Sequence, residues 1–460
     1  MGEAAFLPRP AAGAALRRLL AWLTAARILR RNTLELFPPE AFAEEVVHRR
    51  SLGRDQIILS QPAAIHRILV ENPHNYGRTA ATVRILRPLL GEGLLLSEGE
   101  EWARQRRAHA PAFAPRMVPL LARRVAEAAE ATIAELAAAD GAPVDLLAAL
   151  QKLALDVAGR VLFSLDMRPF AAPLRALVER YGDGLGRPRL LDFLLPPAVP
   201  SPHDLLRRRL RRRWLALVAR IIAARRALPE PDPPDLFALL AAANAAAGGG
   251  EQRLVDQVAT MLLAGHETTA AALFWAVLLL CDDPAAAARI RAEAAGCDLG
   301  PDGAAASLPA LAFTRAVVHE ALRLYPPAFA IVRVARGDDR AGDIAVPAGT
   351  VVLIAPWVLH RHRRLWREPE RFDPTRFLPG APPPGRFQYM PFGIGPRVCI
   401  GAQFALTEAT LVLARLVAAF DIARAGREPV TPVAIVTTQP DHHPLFRLHR
   451  RRPAAAAAAQ

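Results

Sequence analysis

A helical pattern running without a break through residues 251–281 sets the scale of what this chain can build. At roughly 1.5 Å of rise per residue the helix would be about 45 Å long, enough to cross a whole domain. Shorter helical patterns surround it at residues 61–71, 98–108, 115–139, in several pieces between 144 and 227, and at 313–324 and 402–420. Asp283 followed by Pro284 gives an N-cap and a first-turn proline for a further helix, while Pro326 and Pro327 stop the one at 313–324. Strand character is confined to residues 47–59, 346–354 and a few shorter runs, with loops at 195–202 and 229–235. The expected fold is therefore one large unit, mainly α with small β-sheets, over residues 31–449. An amphipathic segment, 1–30, precedes it, and residues 450–460, arginines followed by an alanine tail, are expected to be disordered.

Charge and cysteine usage narrow the function classes. The formal net charge is +14, yet Lys152 is the sole lysine and arginine supplies the rest, which reads as solvated surface charge with room for a basic docking face. No basic run interleaved with aromatics or nucleic-acid motif is present, so nucleic acid is not an expected partner. Cys281, Cys297 and Cys399 form neither a disulfide framework nor a zinc spacing, which points to a reducing, cytoplasmic setting. Residues 11–29 are apolar but interrupted by Arg17, Arg18 and Arg27. That is too short a run for the roughly 20 residues of a membrane span, so no transmembrane anchor is expected, and at most weak contact with a membrane surface. No convincing secretory cleavage site follows.

One cysteine sits in unusual company. Phe392, Gly393, Ile394, Gly395, Pro396, Arg397, Val398, Cys399, Ile400 and Gly401 form a glycine-rich loop ahead of the helical stretch 402–420. A thiolate is stabilised by the backbone N–H groups of a helix N-terminus, and glycines let a backbone approach a flat cofactor closely. An arbitrary cysteine beside a turn is ordinarily just a buried free thiol. Here Phe-Gly-x-Gly-x-Arg-x-Cys-x-Gly resembles, at every fixed position, the heme-binding signature of the cytochrome P-450 family. The resemblance implies Cys399 as the axial ligand of heme b iron, Arg397 as partner of a heme propionate, and Phe392 and Gly393 as part of the cofactor loop. Thiolate ligation pushes electron density onto iron and favours O–O cleavage.

Other segments resemble the same family in the same order along the chain. Trp102 and Arg106, four apart on one helix face, match a pair that binds a propionate, and Arg333 matches another propionate arginine with looser spacing. His109 is read as a core or solvated histidine. Ala264, Gly265, His266, Glu267, Thr268, Thr269 and Ala270 interrupt the long apolar helix. Serines and threonines there ordinarily bond back to helix carbonyls. A zinc-protease motif fails because position 270 is alanine. The resemblance implies that Ala264 and Gly265 form a groove for dioxygen and that Glu267 and Thr268 relay protons toward it. Glu320 and Arg323, with Arg371 of the run Pro369, Glu370, Arg371, Phe372, resemble a buried structural triad. One departure is Arg363, where a proline is usual.

The resemblance implies a monooxygenase that inserts one atom of dioxygen into an apolar substrate such as a fatty acid, terpene or steroid. Electrons would come from a separate ferredoxin or flavodoxin and its reductase, since no dinucleotide fingerprint is present. Arg104, Arg107 and Arg386 are candidate docking cations. Substrate contacts are expected in a loop at 79–96, near 190–198 and around 328–332. Alternatives are an isomerase or peroxygenase of the same family, or a heme sensor without turnover; the Glu267 and Thr268 pair argues against each.

Overall fold

The computed structural model describes residues 31–51, 54–196, 199–231 and 234–451. The expectations for residues 1–30 and for most of the C-terminal tail lie outside these. The chain is mainly helical, with four small sheets among the described residues. Its long helix spans Glu251–Asp282 and is buried along most of its length, including Leu262, Phe274 and Trp275. It packs against Leu146–Phe163, whose first turn is capped by Asp145 accepting from the Ala148 N–H at 2.9 Å. Asp283 caps the following helix in the same way, accepting from the Ala286 N–H at 2.9 Å, with Pro284 in its first turn. The long helix and Ala402–Ala419 are long and apolar enough to cross a membrane by length and composition, but two-thirds of the most apolar window of each is buried within the fold.

Several elements differ from the sequence reading. The strand character of residues 47–59 resolves into the antiparallel pair Val46–Ser51 and Arg54–Leu59. Residues 346–354 belong to two strands, Ile344–Val346 and Val351–Ile354, because Pro347 and the left-handed Gly349 (φ +81°) turn the chain between them. The segment 79–96, which the resemblance implied to be a loop, contains the helix Ala80–Leu90, capped by Thr79 accepting from the Thr82 N–H, with Pro88 inside it. Arg450 and Arg451, expected in the tail, are ordered parts of the fold. Arg450 closes the strand Leu445–Arg450, and Arg451 bonds the Ala419 carbonyl and pairs with Asp421.

The helix Ala312–Leu324 carries a buried ion pair. Glu320 and Arg323, one turn apart on Ala312–Leu324, are both fully buried, and the guanidinium binds both carboxylate oxygens at 2.7 and 2.8 Å. Its remaining N–H groups donate to the carbonyls of His360 (2.8 Å), Pro369 (2.6 Å) and Arg371 (3.0 Å). Arg371 thus contributes a carbonyl only; its side chain is exposed and pairs with Glu368. The third charged partner is Arg376, whose Nε lies 3.6 Å from Glu320. It belongs to a second Pro-x-Arg-Phe run, residues 374–377, five positions after the first. Only the second run folds inward, because Asp373, whose N–H donates to Glu320 at 2.8 Å, starts a short 3-10 turn there.

Candidate active site around Cys399

The cysteine loop is shaped by glycine. Gly393 and Gly395 have φ of +69° and +75°, a region L-residues avoid, and a Cβ on Gly395 would collide with the Leu69 carbonyl. This turn lets the Cys399 N–H donate to the Phe392 carbonyl at 2.8 Å. Upstream, the Met390 N–H donates to His360 Nε2 at 2.9 Å, which couples the loop to the residue whose carbonyl Arg323 holds. Cys399 has accessible surface, yet protein encloses it densely enough that burial raises its thiol pKa. Both are true of a side chain facing an internal cleft. The Gly401 N–H, at the start of Ala402–Ala419, and the Arg106 charge pull the other way and favour thiolate.

Cations gather on one side of this loop. Trp102 and Arg106 share a face of the helix Gly99–His109. The Arg397 guanidinium lies 4.5 Å over the Trp102 ring and donates two bonds to the Ser97 carbonyl, each 3.0 Å. Arg333, on the strand Ile331–Ala335, approaches from the sheet. Burial, with repulsion from Arg78, lowers the Arg333 pKa to about 10; burial, then Arg78 and Arg333, lowers that of Arg397 to about 10. Arg78, missed by the sequence reading, has a buried side chain 3.6 Å from Glu98. Arg336 also pairs with Glu98. Glu98 is thus the carboxylate that Arg78, Arg333, Arg336 and Arg397 all feel. A donor set of one thiol beside convergent guanidiniums fits a metal-bearing group with its own carboxylates, as heme has. His109 is buried in the core, with its pKa lowered to about 4 by burial, in keeping with a structural role.

The second group lies on the long helix. Ala264 is exposed although the helix runs through the core, and nothing lies within 4 Å of where a Cβ on Gly265 would stand. Thr268 Oγ1 donates to the Ala264 carbonyl at 2.6 Å, the back-bonding geometry that leaves its lone pairs free to accept. Glu267 turns toward the hairpin formed by Pro432–Ala434 and Thr438–Pro440, where Thr437 and Gln439 donate to its Oε1. Burial raises its pKa, against those two bonds. His266 is buried and held near neutral, its pKa lowered to about 4. Among the described residues no hydrogen bond or ion pair joins this group to the cysteine loop.

Two of the expected substrate segments are tied together. Arg84, on the helix Ala80–Leu90, donates to the carbonyls of Leu191 (3.1 Å), Pro196 (2.8 Å) and Val199 (2.7 Å). Cys281 and Cys297 are free thiols away from this site, and burial pushes the Cys281 pKa up to about 11. Thr437, Gln439, Arg78 and Arg376 escaped the sequence reading because none lies in a periodic or spaced pattern of its own; for Arg376, the repeated Pro-x-Arg-Phe run was the available signal.

A mainly helical fold that presents a cysteine loop and a cationic cleft beside a long helix defines the heme-thiolate class. The Cytochrome P450 family model matches residues 40–443, and the chain belongs to that family. It is similar to cyclooctatin synthase of Streptomyces melanosporofaciens, 34% identical over 89% of this chain and 88% of the relative. Cyclooctat-9-en-7-ol 5-monooxygenase of the same organism is 31% identical over 79% of this chain and 80% of its own length. Pentalenene oxygenase of Streptomyces avermitilis is 36% identical over 32% of this chain and 33% of the relative. The chain is accordingly a heme b monooxygenase with dioxygen as co-substrate, an apolar organic substrate and a requirement for redox partners.

Proposed function

We propose that this monooxygenase oxidises a cyclic, terpene-like hydrocarbon or alcohol, with Cys399 as the iron ligand. Arg397, Arg333, Arg106 and Trp102 would hold the heme propionates, joined by Arg78, while Phe392 and Gly393 line the cofactor loop. The observation that carries this reading is the cluster of guanidiniums sharing Glu98 beside a glycine-shaped cysteine loop. When bound, heme supplies the chemistry that activates dioxygen. The chain's own residues do the rest. Ala264 and Gly265 leave room against the helix, Glu267 carries a proton at a carboxyl whose pKa burial has raised, and Thr268 Oγ1 accepts and passes it on. The substrate class is supported by the printed activities of the relatives and by apolar side chains on the segments that Arg84 draws together. An optical titration with cyclic terpene alcohols should shift the iron spin state; no response from any of them would overturn the substrate assignment.

Thr268→Ala is expected to retain heme and substrate binding while diverting electrons to peroxide, with product per electron falling about tenfold or more. Unchanged coupling would count against the relay.

Electrons are proposed to come from a ferredoxin or flavodoxin and its reductase in the cytoplasm, a setting the three free cysteines support. Arg104, Arg107 and Arg386 are exposed and form the proposed docking face for such an acidic carrier. Arg104 already pairs with Glu101, so Arg107→Ala and Arg386→Ala should slow reduction more than Arg104→Ala, and added salt should slow the wild type. A reduction rate indifferent to salt and to all three changes would remove this surface from consideration. The catalytic unit is taken as residues 31–451, its end moved from 449 by the strand that Arg450 closes and the contacts of Arg451.

A further inference from the structure

Glu267 is seated by neutral partners, and that choice has chemical consequences. Thr437 Oγ1 donates to Glu267 Oε1 at 2.9 Å; Gln439 Nε2 donates to the same oxygen at 3.2 Å and to Thr437 Oγ1 at 3.0 Å, closing a triangle. Thr437 is buried, and Gln439 Oε1 is buried without a hydrogen-bond partner. The influences on Glu267 acidity are burial and these two side chains. Next to it on the helix, His266 is neutral, and past the hairpin Asp441 and His442 pair with one another.

An arginine or lysine in this position would hold the carboxyl ionised, because it can only donate. A hydroxyl and a primary amide both donate and accept. They can bond the carboxylate, as here, and after a hydroxyl rotation or an amide turn they can accept from the protonated acid, for which Gln439 Oε1 is the ready acceptor. The hairpin itself is fixed to the long helix: the Trp275 indole N–H donates to the Thr438 carbonyl at 3.3 Å, and Thr438 Oγ1 donates to the Pro326 carbonyl at 2.7 Å. Its two seating side chains are therefore held in register with Glu267.

We propose that Thr437 and Gln439 are positioning residues for Glu267, forming a seat that binds its carboxyl in both protonation states and so lets it release and regain a proton without leaving its place. The proposal rests on the relay reading of Glu267. In each cycle the carboxyl O–H gives its proton toward Thr268 and the carboxylate is reprotonated by hydronium from solvent, leaving water, so Glu267 is restored and the proton delivered is drawn from the medium.

The test is an infrared titration of the protonated-carboxyl stretch in the ferric, heme-loaded protein, with Glu267→Gln identifying the band. Thr437→Val and Gln439→Leu each remove donors to the ionised form, so the midpoint should rise, by about one pH unit or more in the double variant, and the band should change frequency. Thr437→Ser keeps the hydroxyl and should restore the wild-type midpoint. Circular dichroism and the Soret band show whether each variant is folded and loaded. A folded double variant with the wild-type band and midpoint would overturn the proposal. Coupling measured in Glu267→Gln separates the two layers: if it is unchanged while the double variant still moves the band, the relay fails and the seat stands.

Discussion

Arg323→Ala is expected to destabilise the protein by about 3–5 kcal/mol and to leave most of it unable to retain heme. The substitution strands the fully buried Glu320 carboxylate and takes donors from three carbonyls, those of His360, Pro369 and Arg371. His360 in turn accepts from the Met390 N–H just ahead of the cysteine loop, so the loss reaches the turn that carries Cys399. Arg371→Ala, by contrast, removes an exposed pair with Glu368 and should cost no more than about 1 kcal/mol. Arg376→Ala should fall between them, because its ion pair with Glu320 is longer but largely buried. Chemical denaturation and heme content of the three variants check this order. A large loss from Arg371→Ala with a small one from Arg376→Ala would restore the order the sequence suggested and contradict the geometry.

That reversal shows where sequence reading stops. The helices around the site were legible because each has its own signal: sustained apolar periodicity for Glu251–Asp282, a capping aspartate and proline after it, and two prolines ending Ala312–Leu324. The cysteine loop was legible because its glycines and arginine stand at fixed spacing. What depends on distant partners was not. Arg371 and Arg376 occur in nearly identical runs, and only the turn begun at Asp373 decides which one faces Glu320. Glu267 was singled out by its intrusion into an apolar helix, but its partners Thr437 and Gln439 lie some 170 residues away on an unremarkable hairpin. Arg78 follows a two-residue strand, and nothing beside it in the chain foretells that it will meet Arg333 and Arg397. The helix Ala80–Leu90 was missed because the expectation of a loop at 79–96 came from the family resemblance and not from the residues, whose capping Thr79 marks a helix start.

The proposed role of Cys399 carries the second large effect. Its loop places a single sulfur beside the Gly401 N–H and within the field of Arg106, and both stabilise the thiolate against a burial that opposes it. Alanine at this position should remove iron ligation altogether, while Cys399→His keeps a ligand for iron but not a thiolate donor. Loss of heme from the alanine variant alone would be ambiguous; the histidine variant, loaded with heme, makes the comparison clean. The most direct measurement is the absorption spectrum of the reduced, carbon-monoxide-bound protein. The wild type should show the red-shifted Soret band of thiolate-ligated heme, and neither Cys399→Ala nor Cys399→His should show it. A red-shifted band that persists in either variant would contradict Cys399 as the iron ligand.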